Sequence, residues 1–205
     1  MSDTIEKRAG GSSTAKADAD GTKRTITGHA AKFGERSRNF GTPGAPLYEV
    51  INRGAFSDVL QNDVRALVDH ESGLLTLGRT TNGTLRLSED EIGLRYEVDL
   101  PDTSAAKDLY TLIKRGDISQ SSFAFKVSED GQEFKTVIED GLEVVVRTIT
   151  KVSDLLDVSP VTYPAYEGTA VEARGFDAHK KNQQNERLKI EESTRNRALT
   201  LAALA

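Results

Sequence analysis

The stretch Ile92-Gly-Leu94-Arg-Tyr96-Glu-Val98-Asp-Leu100 alternates apolar and non-apolar residues without a break. A period of two puts the five apolar side chains on one face of an extended strand, whereas a helix would scatter them around its axis. Such a strand needs a sheet with one face packed and the other toward water. Leu85 and Leu87 repeat the pattern just upstream. Between the two runs, Asn82-Gly83 predicts a two-residue hairpin turn, because both residues tolerate positive φ. The same residues spell an Asn-Gly-Thr glycosylation acceptor, but with no secretory signal the turn reading takes precedence. Further strands are predicted at 24–33, 47–52, 64–69, 119–128, 132–138, 143–149 and 155–162.

One segment has helical spacing instead. Thr103 or Ser104 can cap a helix carrying Ala105, Ala106, Leu109, Leu112 and Ile113, with Lys114 and Arg115 at the negative end of its dipole and Gly116 as the stop. Gly54-Ala55-Phe56 with Val59 and Leu60 predicts a shorter helix. Many strands with one long and one or two short helices give a mainly β (α+β) fold, a barrel or sandwich with helical crossovers.

The 205 residues fit one ordinary domain with extensions. Composition changes at both ends. The segment 10–23 is Gly, Ser, Ala, Thr and charges, and 1–23 is expected to be a flexible leader. The folded body is expected at 24–175, and 176–205 as a charged tail, partly helical or disordered. The net charge of −5 is uneven: residues 1–24 carry +1 and 176–205 carry +2, so 25–175 carries −8. An acidic body offers no basic stripe for phosphates, which argues against nucleic acid as a partner. No apolar run approaches the ~18 residues that span a bilayer, so no membrane partner is expected. The chain has no cysteine, which excludes disulfides and thiolate metal sites and suits a reducing compartment. No cofactor and no metal are expected.

Phosphate loops, dinucleotide fingerprints, the nucleophile elbow and the zincin motif are all absent. Of the three histidines, His29, His70 and His179, the last lies in the expected tail. His70 ends the apolar stretch Val64–Val68 with Asp69 before it and Glu71-Ser-Gly73 after it, a loop mouth suited to a general base. Read alone, it fits a surface or hydrogen-bonded histidine better than a catalytic one. Ser119, Ser121 and Ser122 open a strand that then turns aromatic at Phe123 and Phe125; hydroxyls there also suit an ordinary turn. Asp157, between Leu156 and Val158, is either an exposed carboxylate on a polar face or a buried acid needing a donor such as an imidazole.

Taken together, these segments resemble the prohead (capsid maturation) serine proteases of tailed bacteriophages, related in fold to herpesvirus maturation proteases. The resemblance runs over about 24–175: Ile26-Thr-Gly-His-Ala-Ala-Lys-Phe33, Arg53-Gly-Ala-Phe56, Asp63–His70, Leu77-Gly-Arg79, Gly83–Leu87, Gly93–Thr103, Ile113–Asp117, Ser122-Phe-Ala-Phe125 and Asp157–Ala165. It implies a herpesvirus-protease-like β-barrel. It also implies His70 as catalytic base, Ser122 as nucleophile and Asp157 as third member of the triad. Ser121 is a rival hydroxyl, and His29 a rival for the third place. The implied function is a serine endopeptidase that cleaves scaffold, or the scaffolding arm of the major capsid protein, and itself, inside the assembling procapsid in the host cytoplasm. Self-association is compatible with this role. A non-catalytic, protease-like barrel that binds capsid subunits is the alternative from another class.

Overall fold

The computed structural model describes residues 4–17, 23–73, 75–163 and 189. The chain divides into two units, Met1–Glu167 and Gly168–Ala205. Of the second, only Lys189, a helical residue, is described, so the expected tail at 176–205 otherwise lies outside the described residues.

Among the described residues the strands are β1 (Glu6–Ala17), β2 (Arg24–Lys32), β3 (Leu47–Ile51), β4 (Arg65–Ala66), β5 (Gly78–Arg79), β6 (Leu85–Glu89) and β7 (Gly93–Asp99). The helix α1 (Ser104–Arg115) follows, then β8 (Gln120–Val127), β9 (Gln132–Glu139), β10 (Leu142–Ile149) and β11 (Val152–Val161). Eight strands form one sheet in the order β5-β4-β11-β8-β1-β2-β7-β6, and β3-β10-β9 form a second. The fold is mainly β, as the alternation requires. The edges of the large sheet, β5 and β6, are joined by a single 3-10 turn at Thr80–Asn82. A Cβ on Gly78 would sit 2.9 Å from the Thr84 carbonyl oxygen, so this position needs glycine for the close approach of the two edges. No ladder joins β5 to β6 among the described residues, however, and the sheet is curled but not a closed barrel.

The Asn82-Gly83 segment does not make the expected hairpin. β5 pairs with β4 and β6 pairs with β7, so the chain between them has to turn away from both. Gly83, at φ 74, ends the 3-10 turn and donates its N–H to the Thr80 carbonyl. The expected short helix at Gly54–Leu60 is instead a series of turns, with Ser57 N–H on Gly54 O and Val59 N–H on Phe56 O. The helix α1 has the expected ends: Thr103 Oγ1 accepts from the Ala106 N–H, and Gly116 adopts φ 87. Its buried stripe is Ala106, Leu109, Tyr110 and Ile113, while Ala105 and Leu112 face solvent.

The core gathers Phe56, Phe123 and Phe125 with Ile26, Leu94, Tyr96, Val98 and Leu155. Phe123 stands edge-on to Phe56 with centroids 5.5 Å apart and stacks on Phe125 at 4.8 Å, favourable aromatic arrangements.

The expected leader at 1–23 is corrected by β1, which lies between β2 and β8. Composition hid it because the strand is held by its backbone, with Glu6–Ser12 on β8 and Ser12–Ala17 on β2, whatever its side chains. Its period-two burial is present, but the buried residues are Glu6 and Arg8, with Lys7 exposed between them. A hydrophobic pattern does not register an alternation written in charge.

Candidate active site

β8 and β11 run antiparallel with Ser122 opposite Ser159 and Ala124 opposite Asp157. Cross-strand partners project from the same face, so Ser122, Asp157 and Ser159 share one side of the sheet. β4 runs parallel to β11 on its other edge, paired only at Arg65 and Ala66. Beyond it the chain still follows β11, since the Leu67 and Asp69 N–H groups donate to the Val158 and Pro160 carbonyls, both at 3.1 Å. The expected strand at 64–69 is thus a short ladder with an irregular extension.

Two left-handed residues end that extension: Asp69 at φ 49 and His70 at φ 61. Such backbone costs about 1–3 kcal/mol per residue outside glycine and persists only where neighbours over-determine it. Here the Asp69 carboxylate supplies the constraint. Its two oxygens accept from Thr162 N–H at 2.7 Å and Thr162 Oγ1–H at 2.9 Å, fastening the turn to the end of β11.

The turn brings the His70 ring between the other two residues. Nδ1 lies 2.6 Å from Asp157 Oδ1, and Nε2 lies 2.6 Å from Ser122 Oγ. An ionised carboxylate only accepts, so Nδ1 carries the proton in the neutral ring and Nε2 presents its lone pair to the serine hydroxyl. Ser159 Oγ–H donates to the same Asp157 oxygen at 2.8 Å. All of these groups are shielded from solvent. Ser122 is wholly buried, and the His70 and Asp157 side chains are 7% and 9% exposed. The Ser122 hydroxyl has a second acceptor as well: the Arg8 carbonyl oxygen of β1, 2.7 Å away. Its single hydrogen can therefore be directed at the imidazole or at the neighbouring strand.

The two rivals sit elsewhere. Ser121 faces away, with Oγ 2.7 Å from Tyr96 OH in the core. His29 Nε2 meets Asp90 Oδ2 at 2.8 Å. That contact, helped by the Gly93 and Ile92 N–H groups, outweighs the opposing effect of burial and lowers the Asp90 carboxyl to about 2. His179 lies outside the described residues.

Comparison with protein-family models matches residues 12–183 to the caudovirus prohead serine proteases. The chain belongs to that family. It is a serine protease with a role in phage capsid maturation. No curated protein and no solved structure matches it. The family match begins inside β1, twelve residues before the start expected from composition.

This prohead protease also contains site-lining residues that the sequence reading did not single out. Ser159 follows Asp157 by two positions, so a strand assignment alone puts both on one face. Asp69 precedes His70, but its role depends on a Thr162 contact 93 residues away. Arg8 reaches the site through a backbone carbonyl, and no side-chain pattern marks such a contact.

Beside Ser122, β1 contributes to a buried ion cluster between the two sheets. Arg8 Nε and Nη2 donate to the two carboxylate oxygens of Glu49 at 2.8 and 3.0 Å. Arg147 donates from Nη1 and Nη2 to Glu6 at 2.6 and 2.8 Å, and from Nη1 to Glu49 at 2.9 Å. Arg8 Nη2 also reaches Glu6 at 2.6 Å. Burial pushes the Glu6 carboxyl up, but the hydrogen bonds and charges of Arg147 and Arg8 outweigh it and hold the group below its usual range. Burial likewise opposes the Arg147 charge, and its Glu6 and Glu49 partners outweigh that effect.

Proposed function

We propose that Ser122 is the nucleophile of this protease, His70 its general base and Asp157 the carboxylate that orients the imidazole. The observation that supports this is the His70 ring held between Ser122 Oγ and Asp157 Oδ1, at 2.6 Å on each side. In the reaction Ser122 Oγ attacks the scissile carbonyl carbon while Nε2 takes its proton, giving a tetrahedral intermediate. Nε2 returns that proton to the leaving amine as the peptide C–N bond breaks. Water, deprotonated by the same nitrogen, then hydrolyses the acyl-enzyme. Asp157 keeps the proton of the neutral ring on Nδ1 and stabilises the imidazolium formed in each half-reaction.

The substrate in this reading is scaffold, or the scaffolding arm of the major capsid protein, cut inside the assembling procapsid. The enzyme also trims its own chain, and 176–205 is a segment for removal. Co-expression with the capsid protein, read by intact mass, tests this. Wild type yields shortened capsid protein and shortened protease, and Ser122→Ala leaves both at full length. Equal masses in the two experiments overturn it and favour a non-catalytic scaffold.

A further inference from the structure

Building on that assignment, we propose that residues Glu6–Ala9 occupy the substrate channel, and that Glu49 and Arg147 select substrates with a basic residue just before the scissile bond and an acidic residue two positions earlier. Three observations converge on this. First, Ser122 is wholly buried, and what lies over its hydroxyl is the Arg8 carbonyl, 2.7 Å away. A protease nucleophile reacts with the carbonyl of an extended peptide, and β1 is an extended peptide with Ala9 in register opposite Ser122. Second, regular pairing ends just beyond the Arg8–Ala9 peptide, at a bulge between Ala9 and Gly11, so the strand is held against β8 up to that peptide and breaks register directly after it. Third, the Arg8 side chain fills a recess with a carboxylate at its end and aromatic walls. Glu49, 4% exposed, takes its guanidinium through two hydrogen bonds, and the rings of Phe40 and Phe125 lie 4.9 and 5.8 Å from its central carbon.

Residues two apart on a strand share a face, so Glu6 lies beside Arg8 and meets Arg147. Glu49 and Arg147 belong to the small sheet and are bonded to each other at 2.9 Å. They therefore form a standing anion–cation pair that reads acidic-x-basic on whichever strand lies against it. A strand lacking either charge leaves one member of this buried pair undercompensated, and that penalty is the source of the selectivity. With β1 in place the Ser122 hydroxyl has the Arg8 oxygen as an acceptor competing with His70 Nε2, and a hydroxyl turned to that oxygen is not activated by the imidazole, which is the resting state of this strand.

The test uses the full chain and a quenched fluorescent peptide with the sequence of residues 4–13, Thr-Ile-Glu-Lys-Arg-Ala-Gly-Gly-Ser-Ser. Cleavage after the arginine, abolished by Ser122→Ala, is expected. Peptides with Arg→Gln or Glu→Gln are expected to be cut at least about tenfold more slowly. The Glu49→Gln enzyme is expected to lose its preference for the arginine peptide over the glutamine one. Varying the peptide keeps the result independent of whether Glu49→Gln folds. Ser122-dependent cleavage that ignores both charges, or that occurs only at other positions, overturns the selectivity and leaves the catalytic assignment standing. Absence of any Ser122-dependent cleavage, of peptide or of the chain itself, overturns both.

Discussion

Ser159 Oγ donates a 2.8 Å hydrogen bond to Asp157 Oδ1, the oxygen that also meets His70 Nδ1. Asp157 is buried, so its orientation is set by these two partners and not by water. Ser159→Ala removes one of them and lets the carboxylate rotate away from the imidazole. A hydrogen bond to a charged group contributes about 1.5–3 kcal/mol, so kcat/KM is expected to fall about tenfold to a hundredfold. Ser159→Thr keeps the hydroxyl and is expected to recover most of the rate. Peptide cleavage by the three proteins checks this, and a rate unchanged in Ser159→Ala would remove Ser159 from the positioning role.

Asp69 acts on the backbone of the turn that carries His70. Asp69→Ala loses both bonds to Thr162 and places alanine at φ 49, a region that aspartate and asparagine tolerate better. The expected result is a fall in kcat of about tenfold or more with KM little changed, because displacing His70, the proposed base, slows chemistry more than binding. Asp69→Asn can still accept from the Thr162 N–H at a left-handed position, and it is expected to retain most of the activity. Steady-state kinetics on one peptide separates the three.

Much of the candidate site was legible because Ser122 and Asp157 lie on strands and His70 in the turn that follows one. His70, Ser122 and Asp157 each stand next to apolar runs, and those runs were visible as strand ends or strand interiors. The order of the strands was not legible. Nothing local to Ser122 says that β11 lies on one side and β1 on the other, since pairing partners are chosen by the whole sheet. β1 was missed for a more specific reason. Glu6 and Arg8 are buried as mutually neutralising ions, and sequence patterns read charge as exposure. The hairpin expected at Asn82-Gly83 failed similarly: the turn chemistry was right, with Gly83 left-handed, but the strands it joins pair with other neighbours.

Phe123 follows Ser122 on β8 and anchors that strand in the aromatic core. It is nearly fully buried between Phe56 and Phe125, and its backbone precedes Ala124 and follows Ser122 on β8. Phe123→Ala is expected to lower the unfolding free energy by about 3–5 kcal/mol, from lost burial and the cavity left behind. Denaturant titration checks this, best in the Ser122→Ala background so that the proposed self-cleavage does not intervene. A loss below about 1 kcal/mol would mean that the aromatic cluster collapses around the gap.

The ion cluster makes the stability of the sheet depend on pH in a definite direction. Burial raises the Glu6 carboxyl, but Arg147 and Arg8 more than reverse this, so its folded value lies below the ordinary 4.5. The unfolded chain then takes up a proton before the folded chain does. The stabilisation from Glu6 is complete above 4.5 and is lost as pH falls from there through the lower folded value. Glu6→Gln carries no such group. It is expected to be less stable at neutral pH, where Arg147 loses one of its two carboxylate partners, and to lose less further stability on acidification below 4.5. Melting temperatures of the two proteins, both carrying Ser122→Ala, should converge as the pH falls through that window. Parallel curves would show that Glu6 titrates alike in the folded and unfolded chains, and that the Arg147 contact does not hold its carboxylate ionised.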